Sequence, residues 1–530
     1  MVTSKDTPVP GSLINVPAIN KIPPEVLTEI FRTACFPSNI LNSLPSEPVI
    51  ITLSAICSVW RQLIWGTPSL WAALEVDFRI SGPSMVGRIR TFLNRSGTAP
   101  LRMRIMFGRP SQASEEALGL LISSSERWTT LDLCTTHRLP STFGPSIRGR
   151  LDALEKLKLS YIVFNSAQLK SSKLNFRSLF AGMFSVAPSL RSLEIEQQTG
   201  GPCDCTLSCA SLPWENLDAL ILRQIRVEED LLALSMCPNA DQVEVDCSRR
   251  RPSISASPTL AIVETDATRF SANTATAEDV VELFSRCRFP MLLHLDLATR
   301  TKTDPSNDSL WDIATSVKDL LARSSCALTS LRLWHLPVSD SDVISLLDLT
   351  PTLEVLRISE SVPMRRERRY TSEDKDFEIN NIVSPAFLRR LTVSRGEDNE
   401  QTADVPVSTH SGTFLPHLKD ILLEVYLVGL DQKALRDTIA SRTCLRTVTI
   451  RLRMRENPPN LNSARLLEEE LRSLAGSRPG ITVGGTDSKS ELETDLIFFF
   501  SLGKFGIDNS LNLSSIRYRV RSLKGFERSI

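Results

Sequence analysis

The stretch Leu353-Glu-Val-Leu356-Arg-Ile358 decides the fold, because its apolar residues recur with a fixed spacing. Its last three positions alternate, so Leu356 and Ile358 point to one face of a short strand and Arg357 points to the other. One such strand cannot bury its apolar face alone. The stretch therefore predicts neighbouring strands that carry the same pattern.

The same pattern returns along most of the chain, with starts mostly 23 to 36 residues apart. Clear copies begin at Leu151, Leu190, Leu217, Leu292, Leu328, Leu388, Leu418 and Leu445, and weaker copies begin at Trp128 and Ala240. The gap between Ala240 and Leu292 is wide enough for two repeats. It predicts a degenerate copy, for which Pro258-Thr-Leu-Ala-Ile-Val263 is the candidate.

Helical spacing marks the segments between these predicted strands. The segments 278–284, 309–324, 342–347 and 433–441 place apolar residues three and four positions apart. Ser339 stands where a helix N-cap is expected. Pro351 and Pro416 precede strand patterns and are expected to end the preceding helices.

A strand followed by a helix at this period resembles the leucine-rich-repeat horseshoe. The repeats are irregular and mostly lack the usual Asn after the strand, so they resemble the long repeats of F-box/leucine-rich-repeat proteins. We therefore expect an α/β leucine-rich-repeat solenoid over residues 76–480, preceded by a small all-α module. An ordinary α/β domain with a doubly wound sheet remains the alternative.

Residues 20–75 have a different pattern. Ile22-Pro-Pro-Glu-Val-Leu27 places prolines at a helix start, and Val26, Leu27, Ile30 and Phe31 fall on one helical stripe. A second amphipathic segment runs from Ile51 to Trp65, and Thr67-Pro-Ser-Leu-Trp71 ends the unit. The segment predicts a small helical module.

These motifs, with Ile56-Cys57-Ser-Val-Trp60-Arg61 between them, resemble an F-box. The stretch from Val86 to Leu101 is similar to one in F-box-like proteins of mushroom-forming fungi. The resemblance implies binding to a Skp-type adaptor and through it to a cullin. It implies adaptor-binding roles for Pro23, Pro24, Leu27, Ile30, Phe31, Trp60 and Trp71. A plain helical cap, with Trp60 and Trp71 in its core, is the alternative.

The resemblance further implies the substrate-recognition subunit of an SCF-type ubiquitin ligase, or, as the alternative, a repeat scaffold without ligase function. We expect no enzyme and no cofactor, because the sequence has no phosphate-binding glycine loop, no H-E-x-x-H and no G-x-S-x-G motif. Cys203, Cys205 and Cys209 with Cys247 suggest either a zinc site or, as we favour, free thiols.

Composition argues against several partner classes. Lys plus Arg and Asp plus Glu number 61 each, so net charge favours neither nucleic acid nor a membrane surface. The N-terminus has no signal-peptide run, and an odd number of cysteines is typical of a cytoplasmic or nuclear protein. Residues 1–19 are expected to be disordered and residues 481–530 to form an irregular tail.

The variable residue beside each apolar pair is expected on the concave strand face, where a protein substrate would bind. The predicted substrate-binding residues are Glu194, Glu196, Glu244, Asp246 and Asp296 in the earlier repeats and Arg332, Arg357, Arg390 and Arg451 in the later ones. With Arg223 as an exception in the earlier repeats and Asp420 and Glu424 as exceptions in the later ones, this order predicts an acidic end and a basic end. A solvated face with a chance order of charges is the alternative.

Overall fold

The computed structural model describes most of the chain between residues 22 and 501. The described ranges are 22–35, 40–41, 48–80, 84–108, 111–136, 139–163, 180, 182–199, 211–247, 262–274, 277–299, 310–336, 338–360, 382–393, 414–426, 430–453 and 495–501. Residues 1–19 and the Cys203–Cys209 loop lie outside these ranges, and of the predicted tail 481–530 only residues 495–501 lie inside them.

Seventeen strands are described, and fifteen of them form one sheet. They are β1 Ile40–Leu41, β2 Ala73–Asp77, β3 Leu101–Phe107, β4 Trp128–Thr135, β5 Lys156–Val163, β6 Ser192–Thr199, β7 Ala219–Arg223, β8 Gln242–Cys247, β9 Val263–Glu264, β10 Arg269–Thr274, β11 Cys287–Arg288, β12 His294–Thr299, β13 Ser330–Trp334, β14 Val355–Ser359, β15 Asp420–Tyr426, β16 Thr447–Arg453 and β17 Asp495–Ser501. The large sheet takes its strands in sequence order, while β9 pairs with β11 separately.

The neighbours in the large sheet are parallel, except that β17 runs antiparallel to β16. In a doubly wound sheet the strand order reverses at a switch point. The described order has no reversal, so the doubly wound alternative is excluded. The architecture is α/β with one large parallel sheet built from successive strand units.

Helices occupy the connections between strands. They are α1 Pro24–Cys35, α2 Val49–Ile56, α3 Ser58–Trp65, α4 Ser84–Ser96, α5 Gln112–Ser123, α6 Phe143–Ile147, α7 Val227–Met236, α8 Ala277–Arg286, α9 Leu310–Ser324, α10 Asp340–Asp348, α11 Pro385–Leu391 and α12 Gln432–Ser441. From α7 to α12 each helix contacts the next one. Consecutive helices therefore form a second layer beside the sheet.

The apolar positions of the sequence pattern form the core between the two layers. Leu328, Leu331 and Leu333 are almost completely buried, and Leu331 lies in register with Leu356 on the next strand. Rows of such residues run across the strands, so every strand unit closes the core of its neighbour. Truncation of one such leucine to alanine typically costs about 2–5 kcal/mol.

The copy predicted at 258–263 is wrong in position. The strand that fills the gap between β8 and β12 is β10, in which Phe270 and Ala272 supply the buried positions, and Ala267 is buried just before the strand. Alanine is too small to fill a leucine position, and the large ring of Phe270 packs instead against Phe289, with ring centroids 4.5 Å apart. Of the predicted segment, Val263 belongs to the separate strand β9.

The strand predicted from Leu388 to Val393 is also wrong, because Leu388 and Leu391 belong to helix α11. Ser384 caps this helix, its hydroxyl accepting the Phe387 N–H at 3.1 Å, and Pro385 occupies the first turn. A spacing of three residues between leucines also suits a helix. The next strand of the sheet after β14 is therefore β15.

Candidate functional site

The N-terminal helices α1, α2 and α3 pack around one aromatic contact. Leu27, Phe31 and Cys35 recur every four residues and form the buried stripe of α1. The rings of Phe31 and Trp60 meet edge to face at 4.8 Å. This contact joins α1 to α3 and orients both helices.

Two local hydrogen bonds explain why Cys57 and Arg61 occur in the motif between α2 and α3. The Cys57 sulfur accepts the backbone N–H of Trp60 at 3.4 Å and so caps α3 at its first turn. The Arg61 Nε donates to the carbonyl of Ser54 at 3.0 Å, which fixes the sharp turn between α2 and α3. Both contacts set the angle between these two helices.

Large apolar side chains also cover the solvent side of this module. We call Val26, Ile30, Ile56, Val59 and Trp65 the exposed apolar set. Each of the five is about half exposed, and the three helices that carry them contact one another. Exposed apolar side chains of this size are typical of a protein-binding surface where they form one contiguous patch.

The predicted adaptor-binding residues fall into two groups. Pro23, Pro24 and Ile30 are exposed. The other four are buried, and they are Leu27, Phe31, Trp60 and Trp71. Burial corrects their role, because a side chain inside the core orients helices but does not touch a partner. Val26, Ile56, Val59 and Trp65 belong to the surface instead.

On the sheet, the side chains that alternate with the buried rows form the second surface, which we call the polar face. Its first half carries a chain of ion pairs. Arg104 lies 3.6 Å from Glu75 and 3.1 Å from Asp132, on the strands at either side. Charges of opposite sign on adjacent strands stabilise their register.

The chain of ion pairs continues along β5 to β8. The Lys158 ammonium is 2.9 Å from Glu194 and 3.2 Å from Glu196. The Arg223 guanidinium is 3.0 Å from both Glu194 and Glu244. Three of the predicted acidic residues are thus paired with cations.

Burial and neighbouring charges compete along this chain. Burial raises the pKa of Asp132, and the Arg104 and Lys158 cations oppose this shift. Burial lowers the pKa of Lys158, but the hydrogen bond and charge of Glu194 outweigh it and leave the pKa raised. The acidic side chains of this half therefore face cations that hold them in place.

A cavity of about 300 Å³ lies over the first half of the polar face. It is lined by the charged residues Glu75, Arg102, Arg104, Asp132, Lys156, Lys158 and Glu194, together with Cys35 at the end of α1. The cavity thus adjoins both the N-terminal module and the sheet. Its lining mixes both charge signs.

The predicted division into an acidic and a basic end is wrong for the first half. Arg104, Lys158 and Arg223 alternate there with the carboxylates. The predicted substrate-binding residue Arg390 is not on the polar face, because it lies on helix α11 and pairs with Asp348 of α10 at 3.1 Å. Asp246 is almost completely buried.

In the second half of the polar face, Arg332 is 3.1 Å from Asp296, and its guanidinium lies 4.3 Å from the centre of the Trp334 ring. Arg357 is exposed beside it. Sequence reasoning missed Arg104, Asp132, Lys158 and Trp334 as surface residues. The signal was present, since each occupies the alternating position of a strand pattern.

Cys237 and Cys287 are deeply buried thiols. In the described ranges, no group of three or more His, Cys, Asp or Glu residues could hold a metal ion. Burial raises the pKa of Cys237 and that of Cys287 to about 12, so both remain thiols rather than nucleophilic thiolates. Within the same ranges, no helix is both long and apolar enough to cross a membrane.

The sequence matches no protein-family model. No curated protein matches it at a significant level.

Proposed function

We propose that this chain is the substrate-recognition subunit of an SCF-type ubiquitin ligase. In this proposal residues 20–75 are an F-box-like module that binds a Skp-type adaptor and through it a cullin. The strand units form a leucine-rich-repeat solenoid whose polar face holds a protein substrate. The chain itself carries out no bond chemistry and acts by bringing substrate lysines close to a charged ubiquitin carrier.

The exposed apolar set carries this proposal. The same helices that close a core on their inner side, through Phe31 and Trp60, present Ile30 and Val59 to solvent on their outer side. Exposing such side chains has a free-energy cost that association with an apolar partner surface would remove. An adaptor helix laid against α1 and α3 would bury them.

A non-ligase repeat scaffold is the second candidate, and one observation favours it. The core of the module continues into the core of the sheet, because Trp71 packs against Phe92 of α4 with ring centroids 5.0 Å apart. A cap for the first strand would need this contact. It would have no need of apolar side chains on its outer side, and for this reason we prefer the ligase.

Co-purification with a recombinant Skp-type adaptor tests the proposal. We expect the full chain to capture the adaptor, and the substitutions Ile30→Glu and Val59→Glu each to abolish capture with unchanged thermal unfolding. Met291→Glu is the matched control, because Met291 is also about half exposed but lies in the loop before β12. If the wild-type chain captures no adaptor, the scaffold candidate replaces the ligase.

A further inference from the structure

The second half of the polar face contains polar groups that lack hydrogen-bond partners. The buried atoms without a partner among the described residues include Arg332 Nε, Trp334 Nε1, Ser359 Oγ and Arg451 Nε. Three of them are N–H groups that can only donate, and the serine hydroxyl can donate as well. One acceptor side chain, Glu424, is in register with both Ser359 and Arg451, so the donors near it outnumber it. Buried donors without acceptors are rare in folded proteins, and the Arg332 and Trp334 donors therefore point to a missing acceptor.

Two of these donors lie on adjacent strands of the sheet. Trp334 of β13 is in register with Ser359 of β14. Glu424 of β15 follows, and Arg451 of β16 lies beyond it. A ligand placed over Trp334 and Ser359 would therefore reach two of the donors directly.

Two arginines lie in register two positions earlier on the same strands, and therefore on the same face of the sheet. Arg332 of β13 is directly opposite Arg357 of β14. Like charges in directly opposite positions destabilise a sheet unless an anion lies between them. Asp296 pairs with Arg332 on its other side, whereas Arg357 forms no ion pair within the described ranges.

Trp334 also fixes the direction of one of these cations. The Arg332 guanidinium lies over its ring at 4.3 Å, which restricts the guanidinium before any ligand arrives. A guanidinium held in this way loses less conformational entropy on binding an anion. The Arg332 guanidinium is thus already oriented to bind an anionic acceptor group.

We propose that this part of the polar face, formed by Arg332, Trp334, Arg357 and Ser359, binds an acidic segment of a protein. One carboxylate or phosphate group lies between the two guanidinium groups, and further acceptors of the segment meet the Trp334 and Ser359 donors. Only the identification of the segment as part of a ligase substrate rests on the proposed function. The binding itself needs no adaptor.

The flanking charges favour a protein segment over a nucleic acid. Asp296 borders the site on β12 and Glu424 borders it on β15. The cationic part is therefore two strands wide, with strands about 4.8 Å apart. A continuous polyanion would meet carboxylates at both sides, whereas a short run of acidic side chains would not.

Fluorescence anisotropy with the purified full chain tests the proposal at 0.15 M salt. The probes are labelled eight-residue peptides that carry glutamates, phosphoserines or lysines in the same positions. We expect at least one anionic peptide to bind about tenfold more tightly than the lysine peptide. The stronger of the two anionic peptides identifies the group that occupies the site.

Site variants distinguish this binding from general charge attraction. Arg357→Glu should weaken it about tenfold. Trp334→Phe, which keeps a ring but removes a donor, should weaken it by roughly two- to fivefold. Arg269→Glu makes the same charge change at an exposed residue of strand β10. Three strand spacings, about 14 Å, separate β10 from Arg357 on β14, which exceeds the Debye length of about 8 Å. This control should therefore change peptide binding less than twofold.

Three outcomes would overturn the proposal. The first is equal binding of anionic and lysine peptides. The second is an equal loss of binding in the Arg357→Glu and Arg269→Glu variants. The third is full competition by a single-stranded oligonucleotide at the same charge concentration. All variants are compared by thermal unfolding, and none of these readings depends on capture of an adaptor.

Discussion

The indole N–H of Trp71 donates a 2.8 Å hydrogen bond to the backbone carbonyl of Ile64. Ile64 lies in the last turn of α3, where carbonyls lack partners within the helix. The Trp71 ring is fully buried and packs edge to face on Phe92. The residue thus joins the helical module to the start of the sheet, and its place is in the core.

Substitution of Trp71 should affect stability and leave the adaptor surface intact. We expect Trp71→Ala to lower the free energy of unfolding by about 3–5 kcal/mol. Trp71→Phe should lower it by about 1–2 kcal/mol, because it leaves the core filled but removes the hydrogen bond. Urea denaturation measures both. Loss of adaptor capture in a fully stable Trp71→Phe variant would contradict this core role.

The parts of the fold that sequence patterns predict are those with strong, repeated leucines. Strand β13 is predicted correctly because its buried positions all hold leucine, at Leu328, Leu331 and Leu333. Strand β10 is harder to predict, because Ala272 carries little apolar surface. Phe270 fills the core through its contact with Phe289, which the sequence pattern does not reveal. At Leu388 the spacing fits both a strand and a helix, and the Ser384 cap decides for the helix.

The polar face shows a second limit of prediction from sequence patterns. Alternation along a strand predicts that Glu194 points away from the core, and it does so. Whether Glu194 is free depends on the residues of the neighbouring strands, Lys158 and Arg223, which the pattern of one strand does not contain. Ion pairs across a sheet can be predicted only when the register of neighbouring strands is known. The sequence therefore predicts more unpaired negative charge in this half than the structure contains.

The ion pair between Lys158 and Glu194 should be measurable as a coupling energy. Both side chains are less than a third exposed, and their charged groups are 2.9 Å apart. A double-mutant cycle with Lys158→Ala and Glu194→Ala should give about 0.5–1 kcal/mol, falling as salt is raised from 0.05 to 1 M. A coupling near zero at low salt would show that the chain of ion pairs does not stabilise the register.

Asp230 should make the centre of the array less stable as pH rises. It is fully buried, the Cys247 thiol donates to it at 3.2 Å, and Glu229, Asp246 and Asp279 surround it. Burial raises its pKa well above the usual value. At low pH both states hold the proton. As pH rises from about 4 towards the folded-state pKa, the unfolded state ionises first and stability falls.

Asp230→Asn removes this titration. The free-energy advantage of the variant over the wild-type chain should grow with pH, by up to about 1.4 kcal/mol per unit, and level off above the folded-state pKa. Urea denaturation at pH 4.5, 6 and 7.5 measures the difference. Asp241→Asn, an exposed change near the start of β8, is the control and should show no such trend. A constant difference across the pH range would mean that Asp230 is ionised in the fold at every pH tested.

The buried guanidinium of Arg442 connects the last helices of the array. It is 1% exposed and donates to the carbonyls of Leu391 at 2.5 Å, Phe414 at 2.6 Å and Leu415 at 2.9 Å. Its planar fork reaches all three acceptors, which the short ammonium of lysine would not. Burial lowers the pKa of Arg442, and the carbonyl acceptors offset part of the cost of burying its charge.

Arg442→Met should therefore destabilise the end of the array by roughly 2–5 kcal/mol, because it leaves buried carbonyls without donors. Arg442→Lys should give a smaller loss. Because successive strand units can unfold one at a time, hydrogen exchange of helices α11 and α12 is the sharper measurement. We expect faster exchange in these two helices and unchanged rates in α4 and α5. Lys433→Met on the same helix is the control and should cost less than about 0.5 kcal/mol, because that residue is exposed. Equal exchange rates in Arg442→Met and the wild-type chain would show that the three carbonyls find other donors.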